Sequence, residues 1–244
     1  MANVLVIFRR EFQGYFSTPI AYVFMGVFVA LAGVFSMYIG GFFIRAQADL
    51  TVFFGFHPWL YLFLIPALAM RLWAEERRAG TIELLLTLPV TMTQAVLGKF
   101  LAAWLFTAVA LALTFPAWIT VNYLGDPDNG IIVAGYLGSL LMAGAYLAIG
   151  SCISALTRNQ VIAFVVSAAV CLLFVLSGYP LVLDVFSAWA PPFLVETVSS
   201  FSFLVHYEAI IKGVIDLRDI VYFASLIALW LFVNVLALEV NKAR

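Results

Sequence analysis

The chain is dominated by long stretches without a charged residue. Six continuous runs lack Asp, Glu, Lys and Arg and consist mainly of apolar side chains. A helix needs about 20 apolar residues to cross a hydrocarbon core of roughly 30 Å, and each run is long enough. Strands of a membrane barrel would alternate polar and apolar residues, and these runs do not. We therefore predict an all-α polytopic membrane protein with six transmembrane helices, near 20–44, 52–71, 97–122, 131–156, 161–182 and 220–239.

The composition agrees with a membrane protein. Of the 244 residues, 65% are hydrophobic and 10% are charged, whereas a soluble domain carries roughly 25% charged residues. A net charge of −1 gives no basic surface for nucleic acid, and two cysteines cannot build a disulfide framework. The first run is too long for the apolar core of a signal peptide, about 7–15 residues, so we interpret it as a retained span. We expect residues 1–244 to form a single membrane domain.

Lysine and arginine are unevenly distributed between the connecting segments. With six spans, both termini share one side with the segments that follow the second and fourth spans. That side carries nine of the 12 basic residues, and the other side carries only Arg45, Lys212 and Arg218. Because basic residues accumulate on the cytoplasmic side of a membrane protein, we predict that both termini are cytoplasmic.

Two connecting segments are longer than a turn requires, and the outer one is mostly apolar. It covers 184–219 and contains two short apolar stretches, 185–195 and 197–207. Neither stretch is long enough to cross the membrane as a helix. We therefore predict short re-entrant or interfacial helices before the sixth span.

The other long segment lies on the cytoplasmic side and has an ordered pattern. A charged helical extension of the second span reaches Arg78, and Gly80 permits the chain to reverse. A capping box at Thr91 and Gln94 indicates the start of the third span. Between them, a short helix fits 81–88, since its apolar positions follow i, i+3, i+4, i+7 spacing: Ile82, Leu85, Leu86 and Pro89.

Two interpretations of this segment are open. It can anchor the chain to lipid as a basic stretch with an interfacial helix, or it can bind a protein partner. Anionic headgroups repel the adjacent acids Glu75 and Glu76. The mixed charge therefore favours a protein partner on the cytoplasmic side.

Motifs for catalysis or nucleotide binding are missing. Gly98 and Lys99 lack the upstream glycine and the following hydroxyl residue of a phosphate-binding loop, and there is no G-x-S-x-G motif. Two histidines, His57 and His206, cannot form a multi-histidine metal site, and we interpret both as polar anchors at the membrane interface. Charged residues fall at or near the ends of the predicted spans, which disfavours an ion-coupled carrier. The energy for transport is therefore expected to come from another subunit.

The cytoplasmic segment carries a family resemblance. Residues 75–89 (EERRAGTIELLLTLP), followed by 96–99 (VLGK), resemble the coupling region of ABC-2 type permeases. Residues 10–23 (REFQGYFSTPIAYV) resemble the opening of the gliding-motility (GldF-like) branch of that family.

This resemblance implies a non-catalytic membrane subunit of the bacterial inner membrane. Such permeases form dimers, with the same or a different permease, and dock onto a separate ATP-binding subunit that holds ATP and Mg²⁺. Most are exporters. By resemblance, the connecting helix along the membrane surface is 2–16, with Arg9, Arg10 and Glu11. The implied ATPase-coupling interface is Glu75, Glu76, Arg77, Arg78, Gly80, Thr81, Ile82, Glu83, Leu84, Leu85, Leu86 and Pro89.

Small residues recur every four positions along the predicted fourth span, as Ser139 with Ala143 and as Gly144 with Ala148. This spacing lets two helices approach closely. The close contact can lie within the chain or on a dimer face.

A permease subunit of an ATP-driven exporter is thus the preferred hypothesis. The alternative is a stand-alone secondary carrier or channel, which would move its substrate without a partner. An intramembrane enzyme is the least favoured, because it requires a nucleophile paired with His57 or His206.

Overall fold

A computed structural model describes residues 2–45, 47–81, 90–188 and 190–242. Within these ranges the chain forms helices and no strand, as predicted. A π-helical turn, Phe35–Ile39, continues the second helix. In chain order the α-helices are α1 (Ala2–Phe16), α2 (Pro19–Val34), α3 (Phe42–Arg45), α4 (Thr51–Gly55), α5 (His57–Ala69), α6 (Arg71–Ala79), α7 (Met92–Ala112), α8 (Phe115–Leu124), α9 (Asn129–Leu156), α10 (Gln160–Leu176), α11 (Pro180–Ser187), α12 (Pro192–Ser200), α13 (Phe203–Ile211) and α14 (Leu217–Lys242).

Four helical stretches are long and apolar enough to cross a membrane. Two further helix pairs pass the same test together but are bent: α10 with α11 by 68°, and α12 with α13 by 66°. The described residues thus supply four spans, or up to six if each bent pair is one span. The four continuous stretches overlap the predicted first, third, fourth and sixth spans: Pro19–Arg45, Met92–Leu124, Asn129–Leu156 and Leu217–Val240.

The predicted second span, 52–71, is divided into shorter helices. A break at Phe56 separates α4 from α5, and another at Met70 separates α5 from α6. Pro58 lies in the first turn of α5, where a residue without a backbone N–H starts a helix more readily than it continues one. With 13 residues, α5 is shorter than the roughly 20 residues that a straight span needs. The prediction that this apolar run is helical is confirmed, but the prediction that it forms one continuous helix is wrong.

Helix α9 lies at the centre of the molecule. It packs against α4, α5, α6, α7, α10, α13 and α14, and every residue from Met142 to Ala155 is buried. Small side chains permit these contacts. A Cβ at Gly144 would lie only 2.9 Å from Cδ1 of Ile227 on α14 and 3.0 Å from Nε1 of Trp104 on α7.

The small residues predicted to form a contact face therefore serve packing within the chain. Ser139, Ala143, Gly144 and Ala148 are all buried between helices of the same molecule. Of the two interpretations of this spacing, helix packing agrees with this burial, and the dimer face stays a prediction.

Candidate functional site

The elements on both sides of the predicted coupling helix are well defined. The charged extension is present as α6, and Gly80 at its end has a φ of +72°, the left-handed conformation that lets a helix stop and reverse. On the other side, Thr91 and Gln94 form the predicted capping box at the start of α7. The intervening positions 82–89, which contain Ile82, Glu83, Leu84, Leu85, Leu86 and Pro89, lie outside the described residues.

A buried lysine joins the two helices that flank this segment. The ammonium of Lys99 on α7 lies 2.8 Å from Oε1 of Glu76 on α6 and 3.3 Å from Oε2 of Glu11 on α1. The Lys99 side chain is only 3% exposed and also lies 5.2 Å from the ring centre of Trp73. We call Glu11, Trp73, Glu76 and Lys99 the Lys99 cluster. It connects α1, α6 and α7 through one charge.

Lys99 and Arg10 stabilise the charged form of Glu11. Burial by itself would raise the pKa of the Glu11 carboxyl. The positive charge of Lys99 and the hydrogen bond from Arg10 outweigh this effect, so the pKa of Glu11 is lowered from its ordinary value. Arg10 donates to Oε1 of Glu11 at 2.5 Å. Glu11 is therefore held in its charged form, which the buried ammonium of Lys99 requires.

Helix α1 is present over the predicted range and packs closely on α7. At Gly98 an added Cβ would lie 2.8 Å from Cγ2 of Ile7, so the missing side chain makes room for α1. Ile7 and Glu11 are one turn apart on α1, as i and i+4, and they meet the adjacent residues Gly98 and Lys99. Among the three residues predicted to act in this helix, Glu11 reaches the cluster, whereas Arg9 and Arg10 are exposed.

Serines of α9 hold the start of α6. The hydroxyl of Ser154 accepts hydrogen bonds from the amides of Trp73 and Ala74, at 3.1 and 3.0 Å, and donates to the carbonyl of Met70 at 2.8 Å. The first amides of a helix have no partner within the helix. Ser154 therefore pairs the polar groups that the break between α5 and α6 leaves free.

A second serine links α6 to the last helix. Ser151 accepts hydrogen bonds from the indole of Trp73, at 3.2 Å, and from the amide of Asn234 on α14, at 2.7 Å. Trp73 thus contacts both Ser151 and Lys99. The contacts of α6 thus extend to α1 and α7 through Lys99, to α9 through the two serines, and to α14 through Ser151 and Asn234.

The residues predicted to dock a partner divide into two groups. Glu76 and Arg77 point into the molecule: Glu76 pairs with Lys99, and Arg77 donates to the carbonyl of Ala155 at the end of α9. Burial and the like charge of Arg158 lower the pKa of Arg77.

The second group lies on the surface. Glu75 forms an exposed pair with Arg71 at 3.1 Å, and Arg78, Gly80 and Thr81 are exposed. Among the described residues of this set, the surface group is thus accessible to a partner, whereas the first group contacts the helix bundle.

A polar cluster elsewhere pairs a serine with a histidine. Nδ1 of His57 lies 2.8 Å from Oγ of Ser139, and the hydroxyl of Tyr61 lies 2.7 Å from the same oxygen. His57 and Ser139 are both 0% exposed, so the prediction of His57 as an interfacial anchor is wrong. The pair has the residue types of a nucleophile and its base, and neither side chain is open to solvent. In the described ranges no group of three or more His, Cys, Asp or Glu side chains could hold a metal ion.

Sequence reasoning missed Ser151, Ser154 and Asn234. Each is a polar residue inside an otherwise apolar run, and each is 0% exposed. A buried polar side chain must find a partner, so their positions could have marked them as contact residues. Ser151 and Ser154 bond to residues of α6 that lie 78 to 81 positions away, and Asn234 bonds to Ser151, 83 positions away, so these pairings are visible only in the folded chain.

Most of the chain matches a known protein family. The family profile described as "ABC-2 family transporter protein" matches residues 28–240. No curated protein matches the chain. The family match begins within α2, so α1 lies before it. Because the match covers most of the 244 residues, the chain belongs to the ABC-2 family of transporter proteins.

Proposed function

We propose that this chain is the permease subunit of an ATP-driven exporter and that it binds a separate ATP-binding subunit through the segment 75–89. Family membership supports a membrane-spanning transporter permease with an ABC ATP-binding partner. The direction of transport, the docking segment and the coupling route are our proposals.

The observation that carries the proposal is the position of the Lys99 cluster. Glu76 and Lys99 lie on the helices that precede and follow the segment 82–89, and their ion pair joins these two helices. Glu11 adds α1 to the same charge. A force applied to 82–89 therefore reaches three helices together.

The proposed mechanism uses these contacts in sequence. Closure of two ATP-binding subunits pushes on 82–89, and α6 and the first turns of α7 move as one unit because Lys99 joins them. Trp73, through Ser151 and Ser154, passes the motion to α9 and α14. ATP and Mg²⁺ are bound by the partner subunit, and this chain supplies the transport path.

We further propose the setting in which this permease works. Both termini and the Lys99 cluster face the cytoplasm, in agreement with the distribution of basic residues. The membrane is a bacterial inner membrane, and a second permease, identical or different, completes the transporter. The gliding-motility branch is proposed for the family subgroup.

Co-purification tests the docking segment. The full chain is co-expressed with an ABC ATP-binding subunit encoded in the same genome and is purified from membranes. We expect the subunit to accompany the wild-type chain and to be lost from Glu83→Arg and Leu85→Arg. Glu208→Arg is the matched control, since Glu208 is an exposed helical glutamate on α13, outside the segment 75–89. Retention in all three variants would contradict docking at 75–89, and recovery without any ATP-binding subunit would contradict the proposed partner.

A further inference from the structure

A groove lies on the side of the bundle between α7 and α14, and we call it the α7–α14 groove. Its volume is about 710 Å³, within the range of about 300–1,000 Å³ that is usual for small-molecule sites. Helix α9 contributes Leu141 to it, one turn before Gly144. The missing side chain of Gly144 lets Trp104 of α7 and Ile227 of α14 approach α9 closely. The groove is therefore a product of the packing of three helices.

The walls of the groove are apolar along most of their length. Leu97, Trp104 and Phe232 are among the side chains that line it. The indole N–H of Trp104 already donates to the carbonyl of Leu140 at 2.8 Å, so this donor is not available to a ligand. What remains at this depth is contact between carbon atoms, which is favourable for any closely packed apolar group. The walls therefore suit a hydrocarbon chain.

Two polar side chains lie at one end of the groove. Thr93 is in the first turn of α7, Glu239 is near the end of α14, and both are exposed. Among the described residues that line the groove, Glu239 is the one that carries a charge. Its carboxylate can accept hydrogen bonds from an ammonium group, and the hydroxyl of Thr93 can donate to a phosphate or ester oxygen. This end therefore suits a head group that has a positive charge and acceptor oxygens.

The groove has the depth of one leaflet of a membrane. At about 1.5 Å of rise per residue, its wall on α7 extends roughly 16 Å from Thr93 to Trp104, and its wall on α14 extends roughly 22 Å from Glu239 to Ala224. Half of a hydrocarbon core is about 15 Å deep. A chain that starts at the polar end therefore ends near the middle of the membrane. A spanning helix of a second copy is roughly 30 Å long and would leave much of its length outside the groove, so these dimensions favour a lipid.

We propose that the α7–α14 groove binds one acyl chain of a phospholipid whose head group carries an ammonium, such as phosphatidylethanolamine. The chain lies along Leu97 and Phe232 and ends near Trp104, and the ammonium binds Glu239. The lipid comes from the leaflet on the side of both termini, which we propose to be cytoplasmic. Binding does not require the ATP-binding subunit, so this site is separate from the docking segment 75–89.

Native mass spectrometry of the full chain tests this site. The protein is purified in detergent and incubated with equal amounts of phosphatidylethanolamine and phosphatidylglycerol that carry the same palmitoyl and oleoyl chains. We expect one retained lipid per chain, with phosphatidylethanolamine preferred. Phosphatidylglycerol has no ammonium and would bring only negative charge to Glu239.

Two variants separate the two parts of the site. Ala228→Phe places a ring in the groove, because Ala228 lines it, and should remove most of the retained lipid. Glu239→Gln leaves the groove open and should lower the ratio of retained phosphatidylethanolamine to phosphatidylglycerol roughly two- to fivefold, the effect of an exposed ion pair. The matched controls are Ala169→Phe, at an exposed alanine of α10, and Glu208→Gln, at an exposed glutamate of α13. Both should behave like the wild type.

The outcomes that would overturn the proposal are distinct from each other. They are a wild-type chain that retains no lipid, equal retention by Ala228→Phe and the wild type, or a lipid ratio that Glu239→Gln does not change. A groove filled by a second copy would give wild-type dimers that Ala228→Phe dissociates, with no lipid retained, and this result would also overturn it. Each readout is obtained without an ATP-binding subunit, so failure here is distinguishable from failure of the docking proposal.

Discussion

Lys99 carries a buried positive charge that two carboxylates share. Its partners remain partly accessible, with side chains of Glu11 and Glu76 exposed by 20% and 23%. Among the described residues, Oε2 of Glu76 has no hydrogen-bond partner. The negative charge of this carboxylate is therefore balanced by Lys99. An ion pair of this kind contributes little net stability, but removal of one partner is costly.

Replacement of Lys99 by methionine tests this dependence. The variant keeps the length of the side chain and leaves two carboxylates without their cation. Breaking a fully buried pair costs roughly 3–5 kcal/mol, and the partial exposure of both acids reduces our expectation to about 2–3 kcal/mol. The loss is measured as a lower Tm in detergent. Lys212→Met, which breaks an exposed pair, should change stability by less than about 0.5 kcal/mol; a similar fall in both variants would contradict the account.

The lowered pKa of Glu11 predicts a dependence of stability on pH. A carboxyl group whose pKa is lower in the folded chain stabilises the fold above its ordinary pKa of about 4.3, and this contribution disappears as the pH falls below that value. We expect the Tm of the wild type to fall between about pH 5 and pH 3 more steeply than the Tm of Glu11→Gln. Identical slopes would show that Glu11 contributes nothing to this dependence.

At the scale of the helices, the contact between α1 and α7 positions the N-terminal helix on the bundle. Gly98 provides the space for Ile7, and Lys99 provides the charge for Glu11. Phe12 and Phe16 continue the contact surface of α1, and Tyr15 stacks on Phe106 of α7 with centres 4.9 Å apart. This helix therefore packs against the bundle along its length.

Gly98→Val tests whether this close approach positions α1. The new side chain would overlap Ile7, so α1 must move away from α7, and overpacking of this kind costs about 1–3 kcal/mol. We expect faster hydrogen exchange of the α1 amides. The matched control is Gly26→Val, since a Cβ at Gly26 has no neighbour within 4 Å among the described residues and the change in helix propensity is the same. Equal exchange in both variants would mean that Gly98 does not hold α1.

Local signals explain which elements could be predicted from the sequence. The end of α6 at Gly80 and the start of α7 at Thr91 depend on residues within a single turn, and both predictions are confirmed. The break between α4 and α5 was missed, because an apolar run of sufficient length was taken as one helix. Ser154 bonds to α6, and the ring of His206 on α13 lies 2.6 Å from Asp219 on α14. These contacts could not be predicted, because they join segments that meet only after the helices pack. His206 is 3% exposed, so the prediction of an interfacial anchor at this position is wrong.

At the scale of the whole molecule, helix α9 connects two polar contact sites. Ser151, Ser154 and Ala155 near its C-terminus contact α6, and Ser139 in its first half bonds to His57. Spatial continuity alone does not demonstrate coupling, which requires that a change at one site alters another. The claim that the Lys99 cluster transmits motion therefore needs a measurement on the assembled transporter.

The most direct measurement is hydrogen exchange of the α1 amides in the assembled complex, with and without ATP and Mg²⁺. Helix α1 lies outside the proposed docking segment and contacts α6 and α7 through Lys99, so a response in α1 reports transmission through the cluster. We predict that nucleotide changes α1 exchange in the wild-type complex and that Lys99→Met removes this response while the ATP-binding subunit stays bound. An equal response in the variant, or no response in the wild type, would contradict the central claim.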